Sequence, residues 1–127
     1  MPTQRSSWVY VDLSPQVAVA NTNWLVAKPA PVTGTIKEVW LGINTLLTTG
    51  GGIVAVSKNS LNILSATNVD LQADLTAATP ESQTLAANAA TLRVVAGTDM
   101  LKAAWTLTTA AITNAASCII AIEPDLW

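Results

Sequence analysis

The hydrophobic residues of this chain recur with a period of two over most of its length, which is the period of a β-strand. The clearest stretch is 33–57. One parity of its first half begins at Lys37 and continues with Val39, Leu41 and Ile43, and the other parity comprises Ile36, Glu38, Trp40 and Gly42. This pattern predicts a long and largely buried strand.

A glycine run follows that strand and predicts a hairpin. Gly50, Gly51 and Gly52 can adopt positive φ without steric cost, and the β-branched residues Ile53 and Val54 come directly after them. The sequence therefore predicts two adjacent antiparallel strands joined by this loop.

Shorter alternating stretches predict the remaining strands. They lie at 7–13, 17–27, 61–65, 68–74, 91–95, 100–108 and 117–123. The turn at 96–99 is expected to join its two flanking strands as a hairpin. Residues 64–75 also fit a weaker helical stripe, and 79–90 fit either a short helix that begins at Pro80 or an irregular loop.

Turn signals every 8 to 12 residues are typical of a sandwich or barrel. The sequence therefore predicts a single all-β domain with the architecture of an antiparallel β-sandwich. Residues 1–30 are expected to form an N-terminal arm or edge strands, and residues 31–127 the body of the sandwich. The stiff run from Lys28 to Pro31 would join the two parts.

Charged residues make up 11% of the 127 residues, against roughly 25% in ordinary soluble domains. So few charges protect a monomer poorly against association. We therefore expect other protein to cover part of the surface, with a homo-oligomer among the partners.

The charge distribution argues against nucleic acid and membranes as partners. The chain has six basic and eight acidic residues, and the basic ones are scattered singly. Two uncharged runs, 39–57 and 103–122, are long enough to span a bilayer, but their polar residues and period of two disfavour a transmembrane helix. No signal-peptide pattern is visible at the N-terminus, which predicts synthesis in a cytoplasm.

The sequence predicts neither an active site nor a cofactor. Histidine is absent, which removes the usual general base and the commonest zinc ligand. Cys118 lies between apolar neighbours and is expected to be a buried strand thiol. The acidic residues are expected to be solvated surface groups without metal or catalytic roles; the pairs considered are Asp70 with Asp74 and Glu81 with Asp99.

Tryptophan is unusually frequent, with five Trp against one Tyr and no Phe. Trp40 and Trp105 lie within strands and are expected in the core or in a subunit contact. The terminal segments carry the candidate protein-interface residues, which are Trp8, Tyr10, Trp24 and Trp127. Stacking on sugars is the alternative role for such aromatic rings. We expect Trp24→Ala to weaken attachment to a partner and Trp105→Ala to unfold the sandwich.

Three stretches resemble small virion proteins of tailed bacteriophages. They are Pro31–Trp40, which contains Gly34, Ile36 and Val39; Ile53–Ser57 after the glycine loop; and Val94–Leu101, which contains Ala96, Gly97 and Asp99. In that group a G-x-I-x-x-V strand and an A-G-D-x-I-like turn recur in short β-sandwich chains. The resemblance covers roughly residues 31 to 123, and Thr98 departs from the turn motif.

The resemblance implies a jelly-roll-like sandwich, assembly as dimers or trimers, and binding across subunits of the major capsid protein. The expected function is that of a non-enzymatic decoration, or cement, protein on the capsid exterior of a virion. The alternative is a glycan- or receptor-binding module of a phage fibre or surface protein, which requires exposed tryptophan on a rigid sheet face.

Overall fold

The computed structural model describes residues 7–15, 23–43, 52–76, 78–107 and 116–125, and strand is the predominant regular structure in these ranges. The strands are β1 (Val9–Asp12), β2 (Asn23–Pro29), β3 (Gly34–Gly42), β4 (Gly52–Lys58), β5 (Leu61–Asn62), β6 (Val69–Asp70), β7 (Glu81–Ser82), β8 (Arg93–Val94), β9 (Met100–Leu107) and β10 (Ser117–Pro124). A single turn of helix, α1 (Ala89–Leu92), precedes β8.

The strands form two antiparallel sheets. Sheet A has the order β1-β10-β3-β7, with β8 also paired to β3. Sheet B has the order β2-β9-β4-β5, with β6 also paired to β4. The prediction of an all-β, antiparallel fold is therefore confirmed.

The two sheets share one hydrophobic core. Sheet A contributes alternate residues of β1, β3 and β10, and sheet B contributes alternate residues of β4 and β9. The fully buried residues include Val39, Leu41, Val54, Val56, Leu101, Ala103, Trp105, Cys118, Ile120 and Ile122. In 100–108 and 117–123 the buried residues named here are alternate ones, as the sequence predicted.

A β-bulge in β3 changes the predicted parity of that strand. Ala121 of β10 pairs with Glu38, but the next residue, Ile122, pairs with Ile36, so Lys37 has no partner in the ladder. The extra residue turns Ile36 onto the core side with Val39, and both are buried while Lys37 is exposed. The sequence had placed Ile36 and Val39 on opposite faces, and that prediction is wrong.

Both predicted hairpins are wrong, because the two strands that flank each predicted turn lie in different sheets. β3 lies in sheet A and β4 in sheet B, and likewise β8 pairs with β3 while β9 pairs with β2 and β4. When two consecutive strands lie in different sheets, both can pack their apolar sides against the same core, one from each side. Glycine in a connecting segment permits both a hairpin within one sheet and a crossing to the other sheet, so local sequence cannot distinguish the two.

The segment 68–74 is mostly a turn. β6 is only Val69–Asp70, and the chain then turns because the Asp70 carboxylate accepts the backbone N–H groups of Gln72 and Ala73 at 2.8 and 2.9 Å. Such side-chain capture of backbone donors competes with strand pairing. The predicted strand therefore ends at Asp70, and the helical alternative is not formed either.

Residues 79–90 do not form the possible helix that would begin at Pro80. The short strand β7 occupies Glu81–Ser82, and helix begins only at Ala89, where the Asn88 side chain accepts from the N–H of Ala90. Residue 77 lies outside the described ranges. The irregular-loop alternative is closer to the structure.

The N-terminal region supplies an edge strand to each sheet. β1 pairs only with β10, and β2 pairs only with β9 among the described strands. The predicted strand at 17–27 begins at Asn23 in the described residues and continues to Pro29; residues 16–22 lie outside them. Of the two descriptions offered for 1–30, edge strands fit the described residues. No helix among the described residues is long and apolar enough to cross a membrane.

We expect Trp105→Ala to destabilise the fold by roughly 3–5 kcal/mol, because this side chain is 1% exposed and its indole Nε1 donates to the Leu13 carbonyl oxygen at 3.1 Å. Urea denaturation followed by far-UV circular dichroism measures the change. Trp24→Ala, at a partly buried neighbour, should lower the free energy of unfolding by less. Leu25→Ala, at a side chain 63% exposed, should change it by no more than about 0.5 kcal/mol. Equal losses at Trp105 and Leu25 would contradict the placement of the core.

Candidate interaction surfaces

Sheet A carries aromatic side chains on the face turned away from the core. Its register places Asp12 beside Ile119 and Trp40 in one row, and Tyr10 beside Ala121 and Glu38 in the next. Trp8 and Glu123 form a third row on the same face, because their side chains are hydrogen-bonded to each other. We call this surface the aromatic face and define it by Trp8, Tyr10, Asp12, Glu38, Trp40, Ile119, Ala121 and Glu123.

Hydrogen bonds to carboxylates orient both indole rings of the aromatic face. Trp8 Nε1 donates to Glu123 Oε2 at 3.2 Å, and Trp40 Nε1 donates to Glu38 Oε1 at 3.2 Å. Both tryptophans are half-buried, whereas Tyr10 is 54% exposed. The rings are therefore held in fixed positions on a rigid sheet while part of each stays open to solvent.

Ala121 forms the small centre of the aromatic face. It lies between Tyr10 and Glu38 in its row, and although it points away from the core it is 0% exposed. Larger neighbours on the same face must therefore close over it. The aromatic face is thus a packed layer, which further restricts the motion of its rings.

The aromatic face is negatively charged. It carries the carboxylates of Asp12, Glu38 and Glu123, and hydrogen bonds from Ser14 lower the pKa of Asp12, so Asp12 is ionised at neutral pH. Exposed Lys37 directly precedes Glu38, and Lys28 lies close enough to Asp12 to lower its pKa further. Arg93, which pairs with Thr35 at the end of the Glu123 row, is bound to Asp125 with N–O distances of 2.9 and 2.6 Å.

Trp24 does not belong to the aromatic face. It lies in β2 opposite Trp105, on the core side of sheet B, and is partly buried against the core. The core cluster therefore covers part of this side chain, although Trp24 lies in the N-terminal segment. Its buried Nε1 has no hydrogen-bond partner.

The structure brings two of the four predicted interface residues together. Trp8 and Tyr10 share the aromatic face, Trp24 lies on the other sheet, and Trp127 lies outside the described residues. A protein contact at these residues stays a prediction. Trp40 was predicted for the core or a subunit contact, and it is half-buried on the aromatic face instead of in the core.

The outer side of sheet B has a different character. Its central row is Leu25, Ala104 and Ala55, and the flanking rows are Asn23, Thr106 and Ile53, then Ala27, Lys102 and Ser57. We call these nine residues the flat face. Small side chains dominate it, Leu25 is 63% exposed, and Lys102 is its one charged residue. It continues onto the open edge of β2.

The acidic residues in the described turns hold the backbone. Asp74 accepts from the N–H of Asp70 at 2.8 Å, Asp99 accepts from the N–H of Val95 at 2.8 Å, and Glu81 accepts from the N–H of Thr76 at 2.9 Å. No group of three or more Cys, Asp and Glu within the described ranges could hold a metal ion. The pairs considered as acid and base therefore have structural roles in their turns.

One shallow cavity of about 270 Å³ lies near the same turns. Its lining combines Leu64, Ser65, Ala66, Val69, Asp74, Gln83 and Thr84. Backbone bonds across it, such as Ser65 N–H to the Thr84 carbonyl oxygen at 2.9 Å, join the chain segments that form its walls. Its one carboxylate, Asp74, already accepts from the N–H of Asp70.

Sequence reasoning missed a set of polar contacts that joins the turns after β4 and before β9. Asn59 adopts a left-handed φ of 56°, and its amide donates to Asp99 at 3.0 Å and accepts from the N–H of Met100 at 2.9 Å. The hydrogen bond that the Asn59 amide donates to Asp99 lowers the pKa of that carboxyl. Buried Lys58 donates to the carbonyl oxygens of Ala90 and Arg93. An asparagine at a polar turn was the only local signal.

Comparisons with protein-family models, with curated proteins and with solved structures find no match to this chain.

The predicted burial of Cys118 is confirmed and gives a test by pH. The side chain is 0% exposed, and burial raises the pKa of its thiol to about 12. An unfolded thiol has a pKa of roughly 8.5, so above that pH the folded state binds more protons and the free energy of unfolding falls as pH rises. We expect the wild type to lose about 1–2 kcal/mol relative to Cys118→Ala between pH 8.5 and 10.

Urea denaturation at several pH values, followed by circular dichroism, measures this difference. Cys118→Ala is the matched control because it removes only the thiol. Parallel pH profiles for the two proteins would contradict the assigned burial of the thiol.

Proposed function

We propose that this chain is a non-enzymatic virion protein that decorates and stabilises the exterior of a tailed-bacteriophage capsid. In this proposal it assembles as a dimer or trimer and binds across neighbouring subunits of the major capsid protein. The observation that carries the proposal is the flat face, because it is a wide, charge-poor sheet surface on a chain with few charges altogether.

The finer fold assignment belongs to the same proposal. We infer a jelly-roll sandwich, in which the chain alternates between two sheets of four main strands. The orders β1-β10-β3-β7 and β2-β9-β4-β5 support it, since consecutive strands β1 to β4 alternate between sheets A and B. An N-terminal arm that reaches a neighbour is also proposed, as an extension of the edge strands β1 and β2.

The residues that carry the phage resemblance have physical roles that a β-sandwich of this kind requires. A Cβ at Gly34 would overlap the Glu123 carbonyl oxygen, so β10 can approach β3 there only with glycine. Gly97 has a φ of 70°, which strongly favours glycine, and Asp99 closes its turn by accepting from Val95. These roles make both motifs part of the fold, and they support the resemblance only to that extent.

The flat face suits contact with protein for two reasons. Alanine, serine and threonine side chains let another surface approach the sheet closely, and exposed Leu25 provides apolar area to bury. The face also adjoins the open edge of β2, so a partner can cover sheet and edge together. A ligand that binds only the assembled shell stabilises it by mass action.

The alternative function, a glycan- or receptor-binding module, depends on a different surface. It requires aromatic rings on a rigid sheet face, and the placement of Trp8, Tyr10 and Trp40 favours it. The two functions use opposite sides of the molecule, so one chain can have both.

We expect Leu25→Asp to weaken binding to expanded empty heads of the encoding phage at least tenfold, because a carboxylate would be buried without a partner in the contact. Cosedimentation with heads lacking this chain measures binding, and the thermal resistance of those heads measures stabilisation. Val95→Asp, at a side chain 48% exposed and away from the flat face, is the matched control and should bind normally. Circular dichroism checks the folding of both variants.

Two results would reject the proposal. One is a wild-type chain that neither binds heads nor raises their thermal resistance. The other is wild-type binding by Leu25→Asp, which would remove the flat face from the contact.

A further inference from the structure

We propose that the aromatic face of sheet A is a binding site for neutral oligosaccharides. This inference rests on the alternative function stated above and gives its class of ligand; it does not depend on capsid decoration, since it uses the outer side of the other sheet. Fixed aromatic rings stand beside carboxylates on a rigid surface.

The rings provide the stacking element of the site. The apolar C–H side of a sugar ring packs on an aromatic face, while Tyr and Trp keep a polar group for hydrogen bonding. Tyr10 is 54% exposed, and the indoles of Trp8 and Trp40 are tied to Glu123 and Glu38. Because these bonds already fix both indoles, binding a ligand costs little further side-chain entropy.

The carboxylates provide the polar element. The two oxygens of a carboxylate offer several acceptor positions, so the indole bond to Glu123 does not exhaust its capacity to accept from sugar hydroxyls. Asp12 is exposed at the other end of the face and is held ionised by its bonds to Ser14. A few placed polar groups among apolar ones are the usual composition of a small-ligand site.

The charge of the face selects the class of sugar. The carboxylates of Asp12, Glu38 and Glu123 outnumber the two lysines beside them, Lys28 and Lys37. The face therefore repels sialylated or uronate-containing chains, whereas neutral hexoses and N-acetylhexosamines carry no opposing charge. Arg93, the basic residue at the end of the rows, is occupied by Asp125. The face therefore favours neutral sugars over acidic ones.

The size of the face suits an oligosaccharide. It spans three strands about 4.8 Å apart and three rows about 6.8 Å apart, which gives roughly 10 by 14 Å. A short run of sugar rings fits the face without further contacts.

The test uses the purified full chain and an array of neutral oligosaccharides built from glucose, galactose, mannose, rhamnose and N-acetylglucosamine, with sialylated and uronate chains as the charged set. We expect at least one neutral chain to bind with a millimolar or lower Kd by isothermal titration calorimetry. In ¹H–¹⁵N spectra it should shift the indole N–H signals of Trp8 and Trp40, assigned with the single Trp→Phe variants.

The matched pair Tyr10→Ala and Tyr10→Phe tests the position of the site. Loss of the ring should weaken binding at least tenfold, and Phe should retain most of it because the stacking surface is kept. Leu25→Ala, on the flat face, should bind like the wild type. Circular dichroism verifies that Tyr10→Ala is folded.

Three outcomes would overturn the inference. They are absence of binding to every neutral chain, unchanged binding by Tyr10→Ala, and binding of a polylysine peptide at this face with no binding of sugar. The last would assign the face to a basic protein partner. None of these outcomes bears on head binding through Leu25, so failure of this inference and failure of capsid decoration are distinguishable.

Discussion

The whole structure depends on the burial of two apolar sheet faces against each other. No strand of this chain is apolar enough, or long enough, to be stable by itself, and an isolated pair of strands is marginal in water. Stability comes from the packing of Val39, Leu41 and Ile120 of sheet A with Val54 and Trp105 of sheet B in one cluster. The hydrogen bond from Trp105 to Leu13 adds a direct link between the sheets.

This constraint explains why both candidate surfaces lie on outer faces. Apart from Lys58 at the end of β4, the buried inward positions of these strands are apolar, so the outward positions are the ones free to vary in chemistry. In β3 and β10 they hold Trp40, Glu38 and Glu123, and in β9 and β2 they hold Ala104 and Leu25. The sandwich thus separates a charged aromatic surface from a small-residue surface by one core thickness.

The sequence predicted the strands well where alternation is strict and failed where one residue breaks it. Leu101, Ala103 and Trp105 lie on one parity and are all buried, as predicted. In β3 the unpaired Lys37 changes which residues face the core, and no local feature of the surrounding sequence indicates a bulge there. In the turn after β6, one carboxylate, Asp70, replaces strand pairing with side-chain bonds.

The candidate surfaces were harder to predict than the core because they depend on which strands are neighbours. Trp8 and Trp40 are far apart in sequence, and only the position of β10 between β1 and β3 places them on one face. Hairpin reasoning had instead paired β3 with β4 and would have separated them. Trp24 shows the same dependence in reverse, since its exposure could be judged only once β9 was known to lie beside it. For an antiparallel sandwich, the order of strands therefore determines the interaction surfaces, and this order is set by long-range packing, which local sequence does not encode.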